Sequence, residues 1–369
     1  MKAKTKQTIK NIFLSNVSNQ TALNAAKTSP WWIGLIMAIF GILLPIIPLM
    51  TSVAKSNGSN IINSVSYGLE TYNTSSLLDL EEKGYDLKID GNNELLIYKD
   101  STPITEVPVT EETVPVSQYI STNDEGIQRV EYEVYLVTRT VSGTNGVSPL
   151  IKELNAIKYI NGTANRYVDG DEPAEGETYY RPSYLLIYKQ GIRLQINKRE
   201  TTKNISAVAG DFKSTKTGSD DLIAKLLEVD QITLDFTKGT DGHYIILRNE
   251  EFTKGVHKNF KAFLDQTYLE TKKMSFITYS TVFTGVYALL VVFMGLMIFL
   301  LTRGKKNPMN YLTFWVCVKT TMWAALAPGL LAMILGFILS QWATMFFIIL
   351  FGMRTMWLSM KQLRPDYQK

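Results

Sequence analysis

Long stretches without a charged residue lie near both ends of this 369-residue chain, and they dictate the solvent in which those ends fold. Residues 31–50, WWIGLIMAIFGILLPIIPLM, form a 20-residue run with no charge. A helix of about 20 apolar residues crosses a ~30 Å hydrocarbon layer. Residues 276–302 make a second charge-free run. The stretch 311–360 is too long for one helix and is interrupted by Lys319, Pro328, Gln341 and Arg354. A turn at Pro328-Gly329 would put Lys319 near mid-membrane, where a cation costs about 3 kcal/mol on insertion scales. A turn at Ser340–Trp342 instead leaves Lys319 roughly 31 Å away at 1.5 Å per residue, with Arg354 near the same face and able to snorkel. The second arrangement is preferred, and Pro328 becomes a kink, which membrane helices tolerate.

Lysine and arginine near the ends of the runs set the orientation. Lys2, Lys4, Lys6, Lys10 and Lys27 precede the first run without an acid; Arg303, Lys305 and Lys306 follow the second; the tail carries Arg354, Lys361, Arg364 and Lys369 against Asp366. Four spans put all three basic clusters on one side, the cytoplasm. The expected class is an α+β membrane protein of about four transmembrane helices, with a β-rich extracytoplasmic domain inserted between helices 1 and 2. Its parts are a basic cytoplasmic leader (1–30), transmembrane helix 1 (31–50), the extracytoplasmic domain with flanking helices (52–275), transmembrane helix 2 (276–302), helix 3 (311–339, kinked at Pro328), helix 4 (342–360) and a cytoplasmic tail (361–369). This is a multi-pass plasma-membrane protein with both termini cytoplasmic. Ser52-Val53-Ala54 resembles a signal cleavage site, but a signal core is only about 7–15 residues long, so an uncleaved anchor is expected.

The central segment carries the signals of a folded domain. Apolar residues at helical spacing (Ile62, Val65, Leu69, Tyr72) predict a helix over 57–80. Three hairpins are expected: YDLKID with ELLIYKD, SYLLIYK with IRLQINK, and DQITLDFT with HYIILRN, each around a glycine-bearing turn. QRVEYEVYLVTRTV predicts a long strand with Val130, Tyr132, Val134 and Leu136 alternating with Glu131, Glu133 and Tyr135. Prolines 103, 108 and 115 make 101–117 extended or an edge. Helices are expected at 222–229 and at 260–273, the latter running into the second span.

Motifs for chemistry are sparse. Cys317 is the only cysteine, which excludes an intrachain disulfide and disfavours a cysteine metal site. Neither a Walker loop, a dinucleotide fingerprint nor a nucleophile elbow occurs. The acidic run DGDEPAEGE (169–177) lacks the ligand register of an EF-hand and reads as a solvated loop. His243 and His257 are the only histidines. No metal, cofactor or catalytic residue is expected, and a net charge of +4 gives no reason to invoke nucleic acid. The membrane segments hold more pattern. Gly34, Ala38, Gly41 and Pro45 share the offsets of Ala325, Gly329, Ala332 and Gly336, so helices 1 and 3 are expected to pack along these small faces. Lys319, with Arg354, reads as a membrane-interior charge or a headgroup contact, and an interfacial anchor is the plainer alternative. Ile9, Ile12, Phe13 and Leu23 suit an amphipathic helix on the inner membrane surface, or one that docks a cytoplasmic partner.

The layout resembles an uncharacterised bacterial membrane-protein family, some of whose members are labelled maltodextrin-utilisation protein. The likeness rests on Ser29-Pro30-Trp31 before the first run, on SYLLIYKQGIRLQI, and on KTTMWAALAPGLLAMILGFI with its basic residue before an Ala-x-Pro kink. It implies an association with sugar uptake and carries no catalytic residues. The expected function is therefore non-enzymatic: the outer domain binds a ligand or partner, as an accessory to a transporter or other envelope assembly. The partners are the lipid bilayer and a membrane protein such as a transporter. The alternative is a small transporter or lipid-handling protein using the helix bundle near Lys319.

Overall fold

The computed structural model describes residues 12–15, 17–63, 68–108, 111–123, 126–139, 149–160, 166–167, 179–198, 204–215, 221–229, 237–238, 244–245, 250–303, 307 and 309–362. Both helices and sheets are present, and the chain divides into two compact units, 57–273 and the flanking pair 1–56 with 274–369.

In the flanking unit, Ser18 caps helix α1 (Asn19–Thr28) by accepting from the Thr21 amide. The first apolar run is two helices, α2 (Trp31–Leu43) and α3 (Ile46–Lys55), rather than one. The break falls at Leu44-Pro45, because Pro45 has no N–H to offer the carbonyl of Gly41.

The 57–273 unit begins with a short helix α4 (Asn60–Asn63) and α5 (Leu69–Glu82). The single helix expected over 57–80 is not formed. Gly68, at φ +53, starts α5 afresh, and Val65 lies outside the described residues. Strands β1 (Tyr85–Ile89), β2 (Leu95–Lys99) and β3 (Thr102–Ile104) make a small antiparallel sheet in that order, with Pro103 on its edge strand. The main sheet is built from β4 (Ser117–Thr122), β5 (Gln128–Val137), and, after helix α6 (Pro149–Ala156) and the short β6 (Lys158–Ile160), β7 (Arg166–Tyr167) and β8 (Tyr179–Tyr180), from β9 (Ser183–Tyr188), β10 (Gly191–Asn197) and β11 (Asn204–Asp211). Its order is β11-β10-β9-β5-β4, and β5 with β9 is its one parallel pair among the described residues. Helix α7 (Leu222–Leu227) follows. Of the third expected hairpin, only β12 (Thr237–Lys238) and β13 (Tyr244–Ile245) are described, and they pair antiparallel.

The half-polar pattern expected for β5 is corrected by its surroundings. From Val130 to Val137 every residue is buried, because the strand is central and covered on both faces. Tyr132, Val134 and Leu136 join one apolar cluster with α5 and α7, whereas Val130, Tyr135 and Val137 join another with α6 and β9. Register slips between Tyr119 and Ile120, so that Glu131 is the extra residue of a bulge and Val130 changes face. Glu133, 2% exposed, is satisfied there: it accepts from the Tyr159 hydroxyl at 2.6 Å, the Tyr135 hydroxyl at 2.7 Å and the Gln118 amide at 2.9 Å. Glu131 accepts from Ser121 and pairs with Arg129, which lies over the Tyr180 ring. Burial pushes the Tyr180 hydroxyl up to about 12.

Helix α8 (Glu250–Thr302) runs unbroken for 53 residues and starts ten residues before the expected 260. The final run divides into α9 (Phe314–Ala324), α10 (Leu326–Ile338) and α11 (Ala343–Gln362), with a 3-10 turn at Ser340–Trp342. Four helical stretches among the described residues are long and apolar enough to cross a membrane: Trp31–Lys55, a part of Glu250–Thr302, Phe314–Ile338 and Ala343–Met360.

Replacing Glu133 with Ala removes the charged acceptor of two buried phenol hydroxyls and should cost about 2–4 kcal/mol. Amide exchange in β5 and β9 of the full-length protein should then accelerate by at least about thirtyfold if these strands open with the unit. Unchanged exchange would show that the network contributes no stability.

Candidate functional site

The charged side chains inside the apolar runs of the final segment, Lys319 and Arg354, both end on the N-terminal segment. Lys319 Nζ donates to the backbone carbonyl of Ser29, the residue that ends α1. Arg354 has three acceptors: Nε donates to Asn19 Oδ1 at 3.1 Å, Nη1 to the Ala324 carbonyl at 2.9 Å, and Nη2 to the Ser15 carbonyl. The Ala324 acceptor has a covalent origin. It lies four residues before Pro328, whose missing N–H leaves that carbonyl without its helical donor. The guanidinium takes the proline's place.

Helix α1 is held at both ends, and its small face fits the bundle. Ala22, Ala25 and Ala26 pack with Ile33, Met37 and Trp323, and Leu23 packs with Ile298, Leu312, Cys317 and Leu358. Lys27 Nζ also donates to the Tyr311 hydroxyl at 2.7 Å. Of the residues read as an amphipathic face for the membrane surface or a cytoplasmic partner, Leu23 is buried and Ile12 packs against the cluster around Trp323, whereas Phe13 stays exposed and Ile9 lies outside the described residues.

The two small-residue faces meet. A Cβ on Gly41 would lie 2.7 Å from the Ala325 carbonyl carbon, and one on Gly329 would collide with the Gly41 carbonyl. A Cβ on Gly34 would stand 3.2 Å from Trp323 Nε1, and one on Gly336 would stand 2.7 Å from the Ala343 methyl. Ala38 and Ala332 are buried. The closest approach therefore lies between the two proline breaks, where Gly329 backs onto the carbonyl that Pro45 leaves without a helical donor.

His243 and the acidic run 169–177 lie outside the described residues. His257 is buried; Nε2 is 3.6 Å from Glu70 Oε1, and Nδ1 has no hydrogen-bond partner among the described residues. Burial, and secondarily Lys261, hold its pKa below the ordinary 6.5 against the opposing pull of Glu70. Among the described residues no cluster of three His, Cys, Asp or Glu is arranged for a metal. Known proteins offer no analogy: no protein family, curated protein or solved structure matches the chain.

Sequence reasoning singled out Lys319 and Arg354 but not their partners. The signal for Arg354 was present in Pro328, which marks Ala324 as a carbonyl in need of a donor. Ser15 and Asn19 had no such signal. The buried carboxylates Glu131 and Glu133 were read as a polar face.

Three outcomes are expected. Arg354→Met should raise the rate at which a maleimide labels Cys317 by at least about tenfold, the loss of ~1.4 kcal/mol in docking α1. Cys317 is the only cysteine, is 0% exposed and lies under Leu23, so an unchanged rate would show that Arg354 does not hold the helix. Gly41→Leu and Gly329→Leu should each cost about 1–3 kcal/mol through overpacking, read as a lower melting temperature in detergent; two unchanged midpoints would refute the crossing. His257 binds a proton less readily folded than unfolded, so stability should fall as pH drops below about 6.5 toward the depressed folded pKa. His257→Gln should flatten the melting temperature between pH 7.5 and 5.5, and an unaltered pH profile would exclude His257 as its source.

Proposed function

We propose that this chain is a non-enzymatic, four-span protein of the plasma membrane, with both termini in the cytoplasm and residues 52–275 outside. Its outer domain binds a ligand or partner on behalf of a transporter or other envelope assembly, and the layout likeness to the maltodextrin-utilisation proteins favours sugar uptake.

One observation carries the choice between accessory and transporter: Lys319 and Arg354 are committed to neutral acceptors of the chain itself, the Ser29, Ser15 and Ala324 carbonyls and the Asn19 side chain. A pathway residue needs an exchangeable partner, and ion-coupled pathways usually supply a carboxylate for it. The apolar runs contain no Asp or Glu. A bundle whose cations are spent on its own neutral acceptors suits an anchor better than a conduit.

Orientation and role are tested together. Protease added to spheroplasts should cleave between 57 and 273 and leave tags at both termini intact; loss of either tag with the centre uncut overturns the orientation. In-cell crosslinking from the outer domain should capture an integral membrane neighbour. Lys319→Ala should leave that capture, and growth on the captured partner's substrate, essentially unchanged. Loss of growth with capture intact would instead assign the work to the bundle.

A further inference from the structure

The outer unit contains a preformed cavity of about 380 Å³ that none of the roles above uses. Helix α7, whose apolar face packs into the core, forms part of its wall and is tied at both ends. At the N-terminus, the Asp221 carboxylate accepts from the Ile223 and Ala224 amides and also from the Leu87 amide of β1 at 2.7 Å. At the C-terminus, the Asn259 amide of α8 donates to the Leu226 and Glu228 carbonyls at 3.2 and 2.8 Å. Between these clips the floor is apolar, made by Ile89, Leu222, Leu226 and Phe263. The opposite wall is one stripe of α8, in which Asn259, Ala262, Phe263 and Gln266 recur at helical spacing; the small Ala262 leaves room in its middle.

The polar residues described around the cavity are Thr215, Lys225, Asn259 and Gln266. Among the described lining residues Lys225 is the single charged one, and none carries a carboxylate. Asn259 spends its N–H groups on α7, which leaves its carbonyl oxygen as an acceptor. Small-molecule sites are concave, mostly apolar and oriented by a small number of polar groups, with volumes of about 300–1,000 Å³. From this charge balance we propose that the cavity binds a small amphipathic monoanion: a carboxylate on a compact apolar body, with the carboxylate at Lys225 and the body over Phe263. A cationic head would meet Lys225 unfavourably, and a neutral one would leave the charge unused.

This assignment rests on reading the outer domain as a binder, and it names the ligand class that such a domain takes. The test uses full-length protein in nonionic detergent, with empty micelles subtracted, and three probes of one shape: 4-phenylbutyrate, 4-phenylbutanol and 4-phenylbutylamine. Saturable binding of the carboxylate is expected by saturation-transfer NMR and as a rise in melting temperature. The alcohol should bind roughly three- to tenfold more weakly, in line with one partly exposed charge contact, and the amine should not bind. Ala262→Trp places an indole in the cavity from an exposed position, and Lys225→Glu reverses its charge; each should abolish binding without moving the ligand-free melting temperature. Should Ala262→Trp lower that temperature, Lys225→Glu decides alone. Binding that survives Lys225→Glu, equal binding of all three probes, or no saturable binding overturns the proposal. A chain that crosslinks its membrane neighbour yet ignores 4-phenylbutyrate loses this site and keeps the accessory role.

Discussion

An apolar solvent supplies no hydrogen bonds, so every backbone group and charge placed in it must find a partner in the protein itself. Two prolines create the debts in the flanking unit, since Pro45 and Pro328 each deprive a carbonyl one turn back of its donor. The chain meets them differently. The Gly41 carbonyl is covered by the backbone of Gly329, which only glycine allows at that approach. The Ala324 carbonyl receives Arg354. The same arginine then has donors to spare, and they hold Ser15 and Asn19, so a local defect in one helix becomes the anchor of another. Remove the proline and the guanidinium loses an acceptor; remove the guanidinium and a carbonyl and an N-terminal helix are released together.

The 57–273 unit follows a different economy, in which water is available and burial must be earned by packing. Its central strand β5 is covered on both faces, so its two carboxylates had to go inside with it. A bulge at Glu131 and a ring of donors around Glu133 make that tolerable. The tyrosines there pack as apolar bodies and supply the hydroxyls that an isolated buried carboxylate would lack.

What was legible in the sequence follows from how local the cause is. The apolar runs, the glycine-turn hairpins at Tyr188/Gly191 and Ile89/Leu95, and the small-residue stripes are set by neighbours within a few positions. The burial of β5 is not, because its second face is covered by α6, β6 and β8, which follow it in the chain, and its parallel partner β9 returns only after them. Alternating Glu and Val reads as a half-exposed strand unless that second cover is known. Likewise Lys319 and Arg354 stand out as charges in apolar runs, but their partners at 15, 19 and 29 lie some 290 or more positions away. The cavity beside α7 is lined from β1, α7 and α8, and no single segment encodes it.

Charge is divided as sharply as solvent. Of the 34 acidic residues, 33 fall within 57–273, and Asp366 is the only one in the flanking segments. The cations of the flanking unit therefore meet carbonyls and hydroxyls, which satisfy hydrogen bonds without cancelling charge: Lys319 on Ser29, Arg354 on Ser15, Asn19 and Ala324, Lys27 on Tyr311. A carboxylate partner would have closed each pair and made it indifferent to its surroundings. Neutral partners leave the field of each cation standing, and a bilayer leaflet rich in anionic headgroups is the medium in which such a field is favourable. With Asp366 as its single acid, the flanking unit leaves these cations on neutral partners.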